Sequence, residues 1–390
     1  METSPIKKKI KRKFSLNELG GAFGDWGTLV PFIIGYISIV KLNPAGIFLC
    51  LGATNIFLGI RYNLPLPVQP QKTIGSIALS EKWSANKVIS TGFATGIIWG
   101  ILGSTRILNK LSKKIPDVSV RGIQLGLALI LGWSAFEMFL EDIIFGIIAL
   151  ILILAFFRFE KIPTAVILVV LGIFVLIYNG VITADMLYLT IPSFTFYLPS
   201  LENILIGMLT AGIGQILLTL TNVMIATISL IKKLYPDQEI PINANNLASN
   251  MGIINIISPF FGGMPLCHGS GGLAAQYAFG ARTGGSMIIE GIIEVILGLF
   301  LSDLLFNIFE SFPQGILAAM LLYTAFTLGK ISVSKVNLKI LPILIISALL
   351  CFFINITVGF IIGLIIYLIY KKVKQIQSQK HNKEVYNGKS

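Results

Sequence analysis

The sequence predicts an all-α polytopic membrane protein whose fourteen transmembrane segments form two inverted repeats of seven. Three observations carry this expectation. Of 390 residues, 55% are hydrophobic and 12% charged, whereas a soluble domain carries about 25% charged residues; a water-soluble fold is excluded. Apolar runs of about 20 residues, enough to cross a bilayer, recur from Leu29 to Tyr370. Finally, the basic residues sort by side once the segments are counted.

Residues 1–16 read as a basic cytoplasmic tail. Lys7, Lys8, Lys9, Lys11, Arg12 and Lys13 look like a signal-peptide start, but NELGGAFGDWG follows instead of an apolar stretch with a cleavage site. The segments fall at 17–39, 43–61, 68–80, 87–108, 119–138, 141–157, 162–180, 202–231, 243–258, 265–279, 284–301, 312–329, 336–353 and 355–371. Segments three and ten are too short to cross, and Pro and Gly interrupt both: LPLPVQPQKTIGSIAL and FFGGMPLCHGSGGLAAQY. They are read as half-helices. Residues 372–390 form a second cytoplasmic tail.

Fourteen passages starting inside put 26 of the 30 Lys and Arg residues on the cytoplasmic side. Lys41, Lys82 and Lys87 fall outside and Lys72 within a segment, so the positive-inside rule holds. The net charge of +12 then belongs to tails and short connections facing anionic lipid headgroups, not to a nucleic-acid surface. An integral protein of the plasma membrane, with both termini cytoplasmic, is expected. Cys50, Cys267 and Cys351 lie far apart in apolar stretches, which indicates neither disulfides nor a metal site, and no cofactor is expected.

An odd number of passages per half means that a second copy enters the membrane upside down. The first repeat is read as 17–180 (core 17–108, gate 119–180) and the second as 201–371 (core 202–301, gate 312–371). Polar residues concentrate in the first four segments of each half, leaving the last three as an aliphatic gate. Irregular backbone at membrane depth must line a cavity or lie buried in protein, so both broken segments are expected at the substrate site. Extended stretches ending near Pro70 and Gly269 would each start a short helix, whose free N–H groups favour an anion. Each helix N-terminus contributes roughly +0.5 charge, and Lys72 raises the total to about +2, a match for a divalent anion.

Other polar residues carry two readings each. Lys72 is the single basic residue of segment three, either functional or snorkelling. Asp25, about 12 Å into the first span at 1.5 Å per residue, either orients Lys72, carries a coupling proton, or caps backbone amides. Gln215, Thr219 and Asn222 share one helical face at i, i+4 and i+7, for substrate or for interhelical bonding. In PLCHGSGG the glycines admit close backbone approach, forming with Ser270 a nest of amides for an oxyanion; His268 contacts substrate or proton, or is structural. Glu290 and Glu294, at i and i+4, are proton carriers or partners of Arg282 and helix ends.

The motifs NELGGAFGDWGT, PLPVQPQK, VRGIQLGLAL and FGGMPLCHGSGGLAAQYAFGART resemble the molybdate transporter family of the sulfate-permease superfamily. The resemblance implies a fold like that of uracil and sulfate permeases, uptake of molybdate, and substrate contacts from the two half-helices. By position it brings Gln69, Lys72 and the adjoining Thr73 to the anion, with His268, Gly269, Ser270 and Gly271 opposite. It adds Gln215 and Asn222 from the eighth segment and Asp25 from the first. Two departures stand out: Gln71 replaces the family's Met in QPMK, and QILLTLTN replaces QLPLT followed by NS. Fewer than twenty residues follow the last span, too few for the regulatory STAS domain of typical sulfate permeases.

Alternatives within transport are a sulfate, tungstate or other oxyanion carrier, or a nucleobase permease. The last would want a carboxylate on segment eight, where Gln215 stands. An intramembrane enzyme using His268, Glu290 and Asp25 lacks any metal-ligand spacing or nucleophile elbow, so no enzyme is expected; a channel or voltage-driven motor is a third class. H+ or Na+ are the candidate coupling ions, and a homodimer is a possible assembly.

Overall fold

The computed structural model describes residues 11–105, 107–108, 116–156, 164–186, 192, 195–236, 242–334 and 336–387. The protein is mostly helical. The first half comprises α1 (Leu16–Ala22), α2 (Trp26–Ser38), α3 (Pro44–Tyr62), β1 (Val68–Pro70), α4 (Lys72–Ser80), α5 (Ala85–Thr105), α6 (Asp117–Glu141), α7 (Ile143–Phe156) and α8 (Thr164–Tyr178). After a long connection come α9 (Leu201–Gly207), α10 (Ile213–Leu218) and α11 (Ile228–Leu234), joined by the π-helical stretches Met208–Gly212 and Thr219–Thr227. Next are α12 (Ala244–Ile257), β2 (Leu266–His268), α13 (Ser270–Ala278), α14 (Gly285–Phe300), α15 (Ser302–Glu310), α16 (Gln314–Val333), α17 (Leu341–Phe353) and α18 (Ile356–Asn387).

Local chemistry explains many boundaries. Ser15 caps α1 by accepting the Glu18 amide, and Asn43 caps α3, whose first residue is Pro44; both satisfy N–H groups that a helix start leaves open. Asn243 and Asn246 form a reciprocal capping box at the start of α12. Among the described residues six helices are long and apolar enough to cross a membrane, or seven if α14 and α15, bent by 87°, count as one span. Helices α2, α7, α8 and α17 are apolar but shorter.

Three packed pairs build the bundle: α3 against α14, α5 against α12, and α6 against α16. Outward faces of α7 and α8 carry exposed Ile144, Leu154, Val170 and Phe174, side chains suited to lipid. Backbones approach closely at many glycines; at the first break a Cβ on Gly24 would meet the Ala275 carbonyl oxygen at 2.8 Å.

Several expectations need correction. The first segment is not one helix, because the chain leaves helical geometry between Ala22 and Trp26, where Gly20, Gly21 and Gly24 lower helix propensity. Helix α15 was not foreseen: the apolar run ends at Leu301, and the chain turns sharply into an amphipathic helix. The eighth segment is π-helical from Thr219 to Thr227, so the α-helical spacing argument fails beyond Thr219. Helix α18 runs unbroken from the last span through the expected tail to Asn387. Cys267 and Cys351 are buried and Cys50 is half-buried, all three as free thiols.

Candidate functional site

Proline removes an N–H and fixes φ, so PLPVQP and GGMPLCH favour extended backbone over helix. The two stretches satisfy each other's backbone groups: β1 and β2 pair antiparallel, Val68 opposite His268, Gln69 opposite Cys267 and Pro70 opposite Leu266. Gln71 N–H extends the ribbon by donating to the Pro265 carbonyl at 2.8 Å. Because the strands run in opposite directions, α4 and α13 leave from opposite ends of the ribbon. Their N-termini therefore flank it, within the apolar bundle.

At the α4 end, Lys72 is the first helical residue and Gln71 precedes it without a side-chain cap. The Thr73 N–H donates to Gln215 Oε1 at 2.8 Å, while Gln215 Nε2 donates to Thr219 Oγ1 at 2.9 Å. Thr73 Oγ1 is buried with no partner. Lys72 is half-buried and lies within Coulombic range of Asp25 and Cys267. Neither ion pair found among the described residues includes it.

At the α13 end, Gly269 precedes the helix, also without a side-chain cap. A Cβ placed on Gly271 would meet nothing within 4 Å, so the first turn opens onto free space. Ser270 is half-buried and His268 wholly buried. Gln69 lies across the ribbon from this turn: its Oε1 would sit 3.3 Å from a Cβ on Gly269, and its Nε2 2.9 Å from one on Gly272.

The structure thus gathers Gln69, Lys72, Thr73, Gln215, His268, Gly269, Ser270 and Gly271 around one two-stranded ribbon. The Asn222 side chain lies outside the described residues. Asp25 neither hydrogen-bonds Lys72 nor caps α2; instead its carboxylate accepts from Gln69 Nε2 at 3.2 Å and Gln276 Nε2 at 3.1 Å. Glu290 accepts from Trp26 Nε1 (3.1 Å) and Gln276 Nε2 (2.8 Å), and Glu294 from Asn55 Nδ2 (2.8 Å). The expected pairing with Arg282 is absent: that guanidinium donates to the Tyr277 and Ala281 carbonyls and lies over the Tyr277 ring.

Sequence reasoning missed three supports. Asn255 clamps β2, accepting from Leu266 N–H and donating to the Leu266 carbonyl, both at 2.7 Å. Gln71, noted as a departure, donates to Thr95 Oγ1 at 3.0 Å and to the Leu266 carbonyl at 3.2 Å, bracing the ribbon. Gln276 joins Asp25 to Glu290. Their signal was available as amide side chains inside apolar segments, which need internal partners.

The fold is that of a known group of transporters. The transmembrane domain of the cyanobacterial bicarbonate transporter BicA superposes with a TM-score of 0.62 at 15% identity, covering 92% of this chain and 99% of that one. Murine Slc26a9, an anion transporter in its inward-facing state, gives 0.68 at 14% identity over 94% of this chain and 70% of the other. These likenesses show an SLC26-type transmembrane fold. The family described as molybdate transporter of the MFS superfamily matches residues 17–131 and 207–328. Molybdate transporter 2 of Arabidopsis thaliana is 30% identical across 94% of this chain and 90% of its own length. Molybdate transporter 1 of the same plant is 27% identical across 83% and 81%. The chain belongs to the molybdate transporter family and is an anion transporter.

Proposed function

We propose that the protein takes up molybdate, holding the dianion between the N-termini of α4 and α13 with the Lys72 ammonium beside it. The observation that carries this reading is the β1–β2 ribbon, from whose two ends the helix starts at Lys72 and Ser270 leave without side-chain caps from the residues before them. Open N–H groups and helix dipoles favour negative charge at those ends. Gly271 leaves room for a ligand to approach backbone, and Gln69, Thr73, Ser270 and His268 complete the lining. Gln215 supports it from behind, and Asn222 is assigned to the same site by its family motif.

The same reading counts fourteen membrane passages as two inverted sevens, with both termini cytoplasmic. The ribbon-bearing core moves as a body against the aliphatic gate, carrying the anion across by alternating access. Supporting it are the matched positions of the two half-helices, third in each half, and the basic residues of the expected cytoplasmic connections.

Radiolabelled molybdate uptake into proteoliposomes tests the proposal. Saturable uptake is expected, inhibited by tungstate and more weakly by sulfate, and lost in Lys72→Ala protein that purifies and melts normally. Unchanged uptake by Lys72→Ala would exclude that residue from the site, and preference for sulfate over molybdate would overturn the substrate.

A further inference from the structure

Behind Gln69 lies a second polar assembly that anion binding does not use. Asp25, in the α1–α2 break, and Glu290 and Glu294, both on α14, are each 1% exposed. Among the described residues no ion pair includes any of them. The charged groups acting on the assembly are Lys72 at the start of α4, within Coulombic range of Asp25, and the three carboxyls themselves; α3 contributes the Asn55 amide, α2 the Trp26 indole N–H and α13 the Gln276 amide.

Asp25 and Glu290 are held side by side by one shared donor, and two carboxylates in one buried site repel unless one of them holds a proton. Gln276, wholly buried, donates through Nε2 to both, at 3.1 and 2.8 Å. Its own Oε1 has no partner, an acceptor left open among acids. Gln69 shows the same asymmetry. Its Nε2 donates to Asp25 Oδ2 at 3.2 Å and to Thr28 Oγ1 at 2.8 Å, whereas its buried Oε1 is unpartnered and lies against Gly269. Unpaired buried acceptors are costly, and a proton supplies the missing donor.

We infer that Asp25, Gln276 and Glu290 form a proton-binding site, and that the Gln69 carboxamide reports its occupancy to the anion cradle. This rests on the oxyanion reading of the cradle. With Asp25 Oδ2 unprotonated, the Gln69 NH2 group is spent on Asp25 and its oxygen faces the start of α13, where it repels an oxyanion. A proton added to Oδ2 makes that oxygen a donor to Gln69 Oε1. The carboxamide then turns, presenting N–H to the cradle. Proton and anion thus favour each other's binding, and linkage makes the effect reciprocal.

The test is proton uptake by the purified, weakly buffered protein on addition of sodium molybdate, read with a pH indicator, beside equilibrium molybdate binding across pH. Uptake of about one proton per molybdate is expected near neutral pH, with affinity rising roughly tenfold per pH unit of acidification. Asp25→Asn and Glu290→Gln, each checked by thermal melting, should bind molybdate with little pH dependence and no proton uptake. Molybdate binding without proton uptake in the unaltered protein overturns the proton site and leaves the anion reading intact. Glu290→Gln behaving as the unaltered protein also overturns it. If molybdate does not bind, tungstate and sulfate are added in its place; no binding of any of the three rejects the anion reading, and the proton site with it.

Discussion

The Gln215 side-chain oxygen accepts the Thr73 backbone N–H at 2.8 Å, tying α10 to the first turn of α4 across 142 residues of sequence. One of the amides that a helix start leaves open is thereby filled by protein, while the neighbouring first-turn amides are left for a ligand. Gln215→Glu preserves the acceptor but adds a negative charge beside the cradle. It should melt within a few degrees of the parent while binding molybdate at least about tenfold more weakly, since 1.4 kcal/mol of repulsion suffices. Gln215→Leu strands the Thr73 N–H and should lower stability by about 1–3 kcal/mol, read as a reduced melting temperature in detergent.

Gly271 separates binding from folding. Its Cβ position is empty, and alanine favours a helix over glycine by roughly 0.5–1 kcal/mol. Gly271→Ala should therefore melt at or slightly above the parent temperature while binding molybdate about tenfold more weakly, because the added methyl keeps the anion from the first-turn amides. Unchanged affinity by isothermal titration would move the ligand away from α13.

Asn255 holds β2 by two bonds to Leu266. Asn255→Ala should cost about 2–4 kcal/mol, as two buried backbone groups lose their partners. Melting curves and molybdate affinity should fall together, in contrast to Gly271→Ala, because the ribbon that aims both helices is loosened.

Glu18 fastens the loop between α13 and α14. Its carboxylate, 1% exposed, accepts from the Arg282 and Thr283 N–H groups and from the Thr283 hydroxyl, at 2.9–3.2 Å. Glu18→Ala should release that loop, and limited trypsin digestion should cut at Arg282 faster than in the parent. An unaltered cleavage rate would show that Glu18 is dispensable there.

Much of the site was legible because proline and glycine act locally. The placement of extended backbone before Lys72 and before Ser270 follows from residues within a few positions of each, and the structure puts the strand ends and helix starts there. Asp25 was singled out as a carboxylate within the first span, but its hydrogen-bond partners were not foreseen. Its partners Gln69 and Gln276 lie 44 and 251 residues away, beyond any periodicity argument. The α14–α15 bend and the π-helical winding were hidden for a different reason: apolar composition continues across both, and composition does not record how a helix is wound.

The sequence by itself determined that the chain lives in a bilayer, where its backbone must turn irregular, and that a lysine stands at one such place. These follow from transfer free energies and backbone sterics, which each residue carries with it. Only the tertiary structure decided that the two extended stretches pair with each other and which amides and acids answer one another. Those facts depend on hydrogen bonds between residues some 200 positions apart, whose geometry exists only once the bundle has packed.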